Sequence, residues 1–103
     1  MTKSIIAVLT LFIFIPHSHS KKNKRSVVNS LKSKLINKFQ VSVSEIGETE
    51  KWQTATIQVV HVSKDLKTLD SIFKKILLSS EQILIGKAML STYKLEFIKH
   101  KIG

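Results

Sequence analysis

Apolar residues recur along the chain with two different spacings, and the changes of spacing outline the elements. Residues 5–15 are apolar at nearly every position and rich in Ile, Val, Leu and Phe, which is typical of a central strand buried on both faces. Pro16 ends this strand because proline cannot donate a backbone hydrogen bond to a sheet. Residues 40–46 and 52–62 alternate between apolar and polar side chains and predict two half-buried strands, and residues 86–97 predict a fourth.

Two further stretches have the periodicity of amphipathic helices. The first covers residues 21–39 and is expected to be capped by Ser18 or Ser20, and the second follows a cap at Ser63. The segment GETEK, residues 47–51, predicts the turn between the second and third strands. The apolar stripes consist of Val27, Val28, Leu31, Leu35, Ile36 and Phe39 in the first helix and Leu66, Leu69, Ile72, Phe73, Ile76 and Leu77 in the second.

The resulting order, β-α-β-β-α-β, indicates the fold class. It predicts a ferredoxin-like α+β domain, in which two helices cover one face of a four-stranded antiparallel sheet and the first and third strands are central. A chain of 103 residues is long enough for one such core and too short for two. We therefore expect a single domain, residues 1–103, with residues 98–103 as a short basic tail.

The N-terminal stretch also has the features of a secretory leader, namely Lys3, the apolar run and the small residues of Ser18-His-Ser20. The four cations between residues 21 and 25 oppose export, because positive charge beside a hydrophobic segment stays on the cytoplasmic side. The eleven residues of the run are also too few for a membrane span, which needs about 20. We expect a cytoplasmic protein that keeps this strand and does not enter a membrane; an exported basic peptide beginning at Lys21 is the alternative.

Charge is the strongest compositional signal. Seventeen Lys and Arg residues against seven acids give a net charge of +10, and residues 1–44 carry +8 of it because they contain no acid. Such asymmetry favours nucleic acid or an anionic membrane surface as the partner, although an AT-rich genome that encodes surface positions as lysine gives the same excess. Cations and free N–H groups at a helix start suit a phosphate. The expected contacts to RNA or another anion are His19, Ser20, Lys21, Lys22, Lys24, Arg25, Lys32 and Lys38.

The stretch IPHSHSKKNKRSVVNSLKSKLINKFQVSVSEI, followed by WQTATIQVVHVS, resembles the YlxP-like family of small bacterial proteins of unknown function. The resemblance implies a ferredoxin-like fold, a cytoplasmic protein and genes beside those of translation initiation factor 2 and ribosome-binding factor A; it implies no known activity. The chain departs from the pattern at His17, usually glycine, and at Lys21, usually leucine. The matching positions are Ile15, Pro16, His19, Ser20, Lys22, Lys24, Arg25, Lys38, Phe39, Val41, Ser42, Val43, Glu45, Trp52 and Gln53.

Catalysis, metal binding and cofactor binding are not predicted. His17 and His19 are two residues apart, but no Cys, Asp or Glu close in sequence completes the four ligands usual for zinc. The chain has no Gly-x-Ser-x-Gly motif, no glycine-rich phosphate loop and no cysteine, so we expect no enzyme activity, cofactor or small-molecule substrate. Glu45 matches the family pattern, and we expect it to be an edge-strand charge or the partner of a nearby lysine.

The uncovered face of the sheet is the second candidate surface. Thr54, Thr56 and Gln58 are expected there, so the aromatic stacking of RNA-recognition domains is not. Phe12 and Phe14 are expected on the same face, and an exposed apolar pair indicates self-association. The sequence thus predicts a small basic protein that binds RNA or a ribosomal particle at the first helix start. The alternative is a homodimeric interaction module that uses the open sheet face without binding nucleic acid.

Overall fold

The computed structural model describes residues 2–47 and 50–103 and confirms the predicted order of elements. The strands form an antiparallel sheet in the order β2-β3-β1-β4, with both helices packed on one face, so the ferredoxin-like prediction and the central position of the first and third strands are confirmed. Glu48 and Thr49, within the predicted GETEK turn, lie outside the described residues. The elements are β1 (Thr2–Phe14), α1 (Lys21–Phe39), β2 (Ser42–Ile46), β3 (Thr54–Ser63), α2 (Leu66–Leu84) and β4 (Met89–Ile102).

The core lies between the sheet and the helices. Side chains alternate across a strand, so every second residue of β1 points toward α1 and α2 and is buried, while the intervening residues face the other way. The central strand is therefore covered on one face only, although its continuous apolar sequence predicts burial on both. The buried set includes Ile5, Ala7, Leu9, Leu11 and Ile13 of β1, Leu31 and Leu35 of α1, and Leu69, Phe73 and Ile76 of α2.

Several strand boundaries differ from the predictions by a few residues, and two differences change the role of a segment, at the start of α2 and at the end of β4. Helix α2 is capped by Asp65, whose carboxylate accepts hydrogen bonds from the Lys67 N–H at 3.2 Å and the Thr68 hydroxyl at 2.7 Å. Ser63 does not cap the helix because it still pairs with β1 as the last residue of β3. The predicted basic tail is also wrong: β4 continues to Ile102, because its backbone pairs with the whole length of β1.

The turns explain how the departure at His17 is tolerated. Among the described residues other than glycine, Gln40 has a positive φ, at 55°, where it ends α1 in the left-handed conformation. His17 does not adopt that conformation, so a side chain replaces the family's usual glycine there without backbone strain. Neither described helix is long and apolar enough to cross a membrane.

Candidate nucleic-acid interface

The start of α1 is held by Ser20, one of the two predicted caps. Ser20 has extended backbone angles, and its hydroxyl oxygen accepts a hydrogen bond from the Asn23 N–H at 3.2 Å. The Asn23 side-chain oxygen accepts in return from the Ser20 hydroxyl at 3.0 Å and from the His19 N–H at 3.3 Å. This reciprocal cap sets the direction of the first turn, which contains no acidic residue. The cap therefore determines where the cations that follow it project.

Lys24 is buried, so the prediction that it belongs to the anion-binding surface is corrected. Its ammonium lies 3.0 Å from Glu45 Oε2 and donates a hydrogen bond to the Lys51 carbonyl at 2.5 Å. Only 4% of the Lys24 side chain is exposed, so a phosphate would have to displace these partners to reach it. A buried charge must be paired, and Glu45 provides the pairing. Glu45 is thus the partner of a nearby lysine, one of the two roles expected for it.

Lys21 forms a second and very different pair. Its ammonium contacts the Glu50 carboxylate, but more than half of each side chain is exposed to solvent. The hydrogen bond and positive charge of Lys21 lower the pKa of the Glu50 carboxyl below its ordinary value. Exposed pairs of this kind contribute little to stability because water and salt screen them. Lys21 therefore remains open to exchange of Glu50 for another anion.

A cleft of about 180 Å³ opens beside the first turns of α1, and we call it the basic cleft. Lys21, Arg25 and Lys32 lie on one side of the helix, at spacings that bring residues onto a shared face. Arg25 is exposed and Lys32 partly exposed. The volume is smaller than the roughly 300–1,000 Å³ of small-molecule sites, but it admits a phosphate group. The cleft is lined by Lys21, Lys24, Arg25, Val28, Asn29, Lys32, Glu45 and Glu50.

Lys38 does not belong to this cleft. It follows Lys21 by seventeen residues, which is about 25 Å along the helix axis. Its ammonium donates to the Ser79 hydroxyl of α2 at 3.2 Å and lies 5.4 Å from the centre of the Phe39 ring. A cation in the last turn also suits the negative end of the helix dipole. Lys38 thus connects the two helices at the end of α1 away from the cleft, and its contact with RNA stays a prediction. Lys22 and His19 are exposed close to the cleft.

A wider hollow of about 570 Å³ lies next to the basic cleft, and Glu50 lines both. We call it the Trp52 hollow, because Trp52 lies in its wall with 47% of the residue exposed, just before β3. Trp52 is thus not a core residue. The Ile15 N–H donates to the Gln53 carbonyl at 2.8 Å and connects the end of β1 to this segment. The other lining residues are Ser18, His19, Lys51, Gln53 and Thr54.

The remaining candidate residues from the sequence, two phenylalanines and two histidines, all lie at the protein surface. Phe12 and Phe14 lie on the open sheet face, where each is more than a third exposed. His17 and His19 are both exposed on the loop between β1 and α1. Within residues 2–47 and 50–103, no three His, Asp or Glu side chains come together in a group able to hold a metal ion. The contacts of Glu50 and Lys51 were missed, because a turn motif carries no signal of partners 29 and 27 residues away.

The family model described as "Protein of unknown function (DUF503)" matches residues 6–88. The chain belongs to this family. Among curated proteins, the uncharacterized protein YlxP of Bacillus subtilis (strain 168) is 33% identical over 58 residues, and the aligned part covers 56% of this chain and 63% of the Bacillus protein. These matches confirm the YlxP-like resemblance. The match thus spans a little less than two thirds of the relative's length.

Solved structures share the architecture of this DUF503 chain at low sequence identity. SnoaB, a cofactor-independent oxygenase from Streptomyces nogalater, is 12% identical with a TM-score of 0.55, and the match covers 95% of each chain. A dimeric protein of unknown function and ferredoxin-like fold from Bacteroides fragilis NCTC 9343 is 14% identical with a TM-score of 0.52 over 95% of this chain and 96% of that one. At these identities the similarity shows the fold alone.

The fold brings together the stretches that carry the family resemblance. His19 and Ser20 come from the loop before α1, and Trp52 and Gln53 from the segment before β3, yet His19 and Trp52 line the same hollow. The Lys24–Glu45 pair joins α1 to β2 beside it. In this DUF503 chain, part of the motif, including His19, Lys24, Glu45 and Trp52, therefore lies around one site at the end of the sheet where α1 begins, whereas Lys38 and Phe39 lie at the other end of α1.

Proposed function

We propose that this protein is a non-enzymatic module that binds RNA, alone or within a ribosomal particle, through the basic cleft and the exposed cations beside it. The observation that carries the proposal is the charge of α1, which has seven Lys and Arg residues and no acid. Lys21, Arg25 and Lys32 line one cleft near its positive N-terminal end. Like charges one turn apart disfavour a helix, and a bound polyanion relieves that repulsion.

The spacing of these cations favours a polyanion over a single small anion. Lys21 and Arg25 are about 6 Å apart along the helix axis, and Lys32 lies about 10 Å further. One phosphate cannot reach all three, whereas consecutive phosphates of a nucleic-acid strand can. Because the cleft is too small to enclose a nucleotide, we expect the strand to lie across it with its phosphates directed inward. Such contacts give strong salt dependence and little base specificity.

Trp52 supplies what the open sheet face lacks for RNA binding. Its exposed ring lies in a hollow that adjoins the cleft through Glu50. Bases stack on exposed aromatic rings irrespective of sequence, provided that they are unpaired. A strand whose phosphates occupy the cleft therefore has a stacking surface for one base next to it. We expect single-stranded RNA or loops to bind more tightly than duplex RNA.

The proposal is tested by replacing the exposed cations and keeping the buried one. In the cleft variant, Lys21, Arg25 and Lys32 are changed to Ala, while Lys24 is retained because its pair with Glu45 is structural. Binding of a fluorescein-labelled single-stranded RNA is measured by anisotropy over a range of salt concentrations. We expect an affinity loss of at least about tenfold at low salt, and a salt slope shallower by about 2, because three phosphate contacts are removed.

A matched control separates a localised site from general attraction to a basic protein. Changing Lys64, Lys67 and Lys75 to Ala removes the same three positive charges from exposed positions around α2. Helix α2 begins at the end of the sheet opposite the start of α1. The control should lose less than about threefold in affinity. Equal losses in both variants, or binding that does not respond to salt, would contradict the proposal.

The hollow offers an independent readout because Trp52 is the sole tryptophan. Stacking of a base on its ring should quench its intrinsic fluorescence on addition of single-stranded RNA and much less on addition of duplex RNA. Co-sedimentation of the two variants with ribosomal particles, at low and moderate salt, then tests whether the particle presents such RNA. Binding without quenching would remove Trp52 from the site but leave the cations in it.

A further inference from the structure

The sheet face opposite the helices, which we call the open face, carries two apolar groups separated by a polar row. Because paired residues of neighbouring strands share a face, the groups follow from the strand register. Val62 and Ile98 are 56% and 49% exposed, far more than residues of a finished core. One group is Phe12, Phe14, Ile46 and Met89, and the other is Ile6, Val8, Val60, Val62 and Ile98.

We propose that a second copy of this chain packs on the open face, sheet against sheet, with β1 of one copy antiparallel to β1 of the other. In this arrangement the two-fold axis lies between the sheets and perpendicular to the strands. Such an interface is isologous, so each contact occurs twice with the roles of the copies exchanged. The axis passes between the row of Thr10 and the row of Val8. By the strand register, Phe12 then lies over the partner's Ile6 and Thr56 over the partner's Val62, while Phe14 and Met89 lie over the partner's Ser4 and His100.

Charge complementarity selects this arrangement. Lys94 is paired with Thr10 and Glu96 with Val8, so these two charges of β4 lie one row on either side of the axis. Rotation about the axis places Lys94 against the partner's Glu96 and Glu96 against the partner's Lys94. A two-fold axis parallel to the strands would instead place β4 over β2 and leave both charges opposite the uncharged Ser42 and Ser44. The open face is thus complementary to itself in the antiparallel arrangement.

The central polar row does not oppose this burial. The Gln58 side-chain amide donates to the Thr10 hydroxyl at 3.3 Å, and Thr10 is already only 8% exposed within one chain. Polar groups that bond to each other lose little when water is removed, whereas unpaired groups lose much. The row therefore enters a dry interface with its hydrogen bond already made, and helps to define the register between the copies.

The available area matches a small dimer interface. Four strands at about 4.8 Å spacing and ten residues at about 3.3 Å rise give a face of roughly 600 Å². Two copies therefore bury about 1,200 Å² in projection, which is at the lower limit for specific interfaces. Helices α1 and α2 point away from the interface, so the basic cleft stays accessible in both copies. The dimer does not depend on the proposed RNA binding.

Salt distinguishes the two activities. Each chain has a net charge of +10, so two copies repel at long range, and added salt should strengthen dimerisation. The same addition should weaken binding of RNA. Sedimentation equilibrium at moderate salt and micromolar concentrations should give twice the chain mass of 11.7 kDa. A protein that stays monomeric at every salt and at hundreds of micromolar would overturn the proposal.

Charge reversal tests the pairing between copies. In a Lys94→Glu dimer, the new glutamate of each copy faces the partner's Glu96. In a Glu96→Lys dimer, the new lysine of each copy faces the partner's Lys94. Each variant alone should therefore dimerise at least about tenfold more weakly. Mixing the two variants restores opposite charges at both contacts, and a mixed dimer should form with close to the original affinity. Both positions are exposed in the single chain, so both variants should fold. Repair of a contact within one chain cannot produce rescue by mixing.

The matched control is Lys75→Glu, which changes the net charge as Lys94→Glu does but lies on the exposed side of α2. This control should dimerise like the original chain. If Lys94→Glu and Glu96→Lys dimerise normally, or if mixing gives no rescue, the antiparallel arrangement is wrong. If they change the affinity for RNA and leave the mass unchanged, the open face binds RNA and the proposed dimer fails.

Discussion

The basic cleft and the open face are on opposite sides of the same sheet, and each lacks a different kind of partner. In the cleft, Lys21, Arg25 and Lys32 face two acids, so positive charge is in excess. On the open face the single chain leaves apolar side chains in water and balances one lysine with one glutamate. The first region needs an anion and the second an apolar cover. Salt should accordingly act on them in opposite directions.

In both regions, neighbouring residues of one strand or helix differ completely in burial. Lys24 is buried and paired while its neighbour Arg25 is exposed, although both are cations in the first turns of α1. Leu11 is fully buried while Phe12 next to it reaches the open face. Residue type alone does not separate these roles, because the helical and strand periods assign neighbouring residues to different faces.

The largest effect is expected when a charge is introduced on the two faces of β1. Leu11→Asp places a carboxylate among side chains of the core, and it should cost more than about 4 kcal/mol, much of the 5–15 kcal/mol stability of a typical domain. Phe12→Asp, one residue away, should cost less than about 1 kcal/mol within the single chain because the carboxylate stays in water. Circular dichroism and urea unfolding measure both, at a protein concentration low enough to keep the chain monomeric. If the two variants lose comparable free energies of unfolding, Phe12 is covered by other residues within the single chain.

A large effect is also expected from Lys24→Met, which leaves Glu45 without its partner. Breaking a buried pair by removing one member costs about 3–5 kcal/mol, and the lower end applies here because 20% of the Glu45 side chain is exposed. The double variant Lys24→Met, Glu45→Leu should recover most of the loss, since apolar replacements of buried pairs are often nearly neutral. Urea unfolding of the three proteins gives the comparison. A stable Lys24→Met protein that has lost RNA binding would return Lys24 to the binding surface.

Much of the fold was predictable because its signals are local. The period of α1 and the Ser20 cap predicted the helix over residues 21–39, and the alternation of β2 and β3 predicted a sheet with one buried face. The end of β4 was not predictable from its lysines. Lys99 and Lys101 resemble a solvated tail, but their backbones pair with Ile5 and Lys3, and strand pairing does not require apolar side chains.

The site was less predictable because its contacts join distant parts of the chain. The cations at the start of α1 indicate where positive charge is concentrated. They do not indicate which ammonium group will be buried in a pair with a carboxylate. Glu45 reaches Lys24 only after β2 has packed beside α1, and Glu50 reaches Lys21 only after β3 has been placed. The exposure of Trp52 was not predictable either, because exposure depends on what the rest of the chain covers. The family pattern marked Lys24, Glu45 and Trp52 without indicating their contacts, and it did not mark Glu50.

The smallest predicted effect concerns Glu50, which competes with RNA for Lys21. Glu50→Gln removes the competing charge, so the affinity for single-stranded RNA should rise about two- to threefold at low salt, with a slightly steeper salt slope. Because Lys21 lowers the pKa of Glu50 in the folded chain, the pair contributes above the ordinary pKa of a glutamate and is lost as the pH falls through the lowered value. In Lys21→Ala the Glu50 pKa, followed by carbon-detected NMR titration, should return to its ordinary range. Suppose that Lys21→Ala shifts the Glu50 pKa as expected but Glu50→Gln leaves the affinity for RNA unchanged. Lys21 is then paired with Glu50 but takes no part in binding the strand.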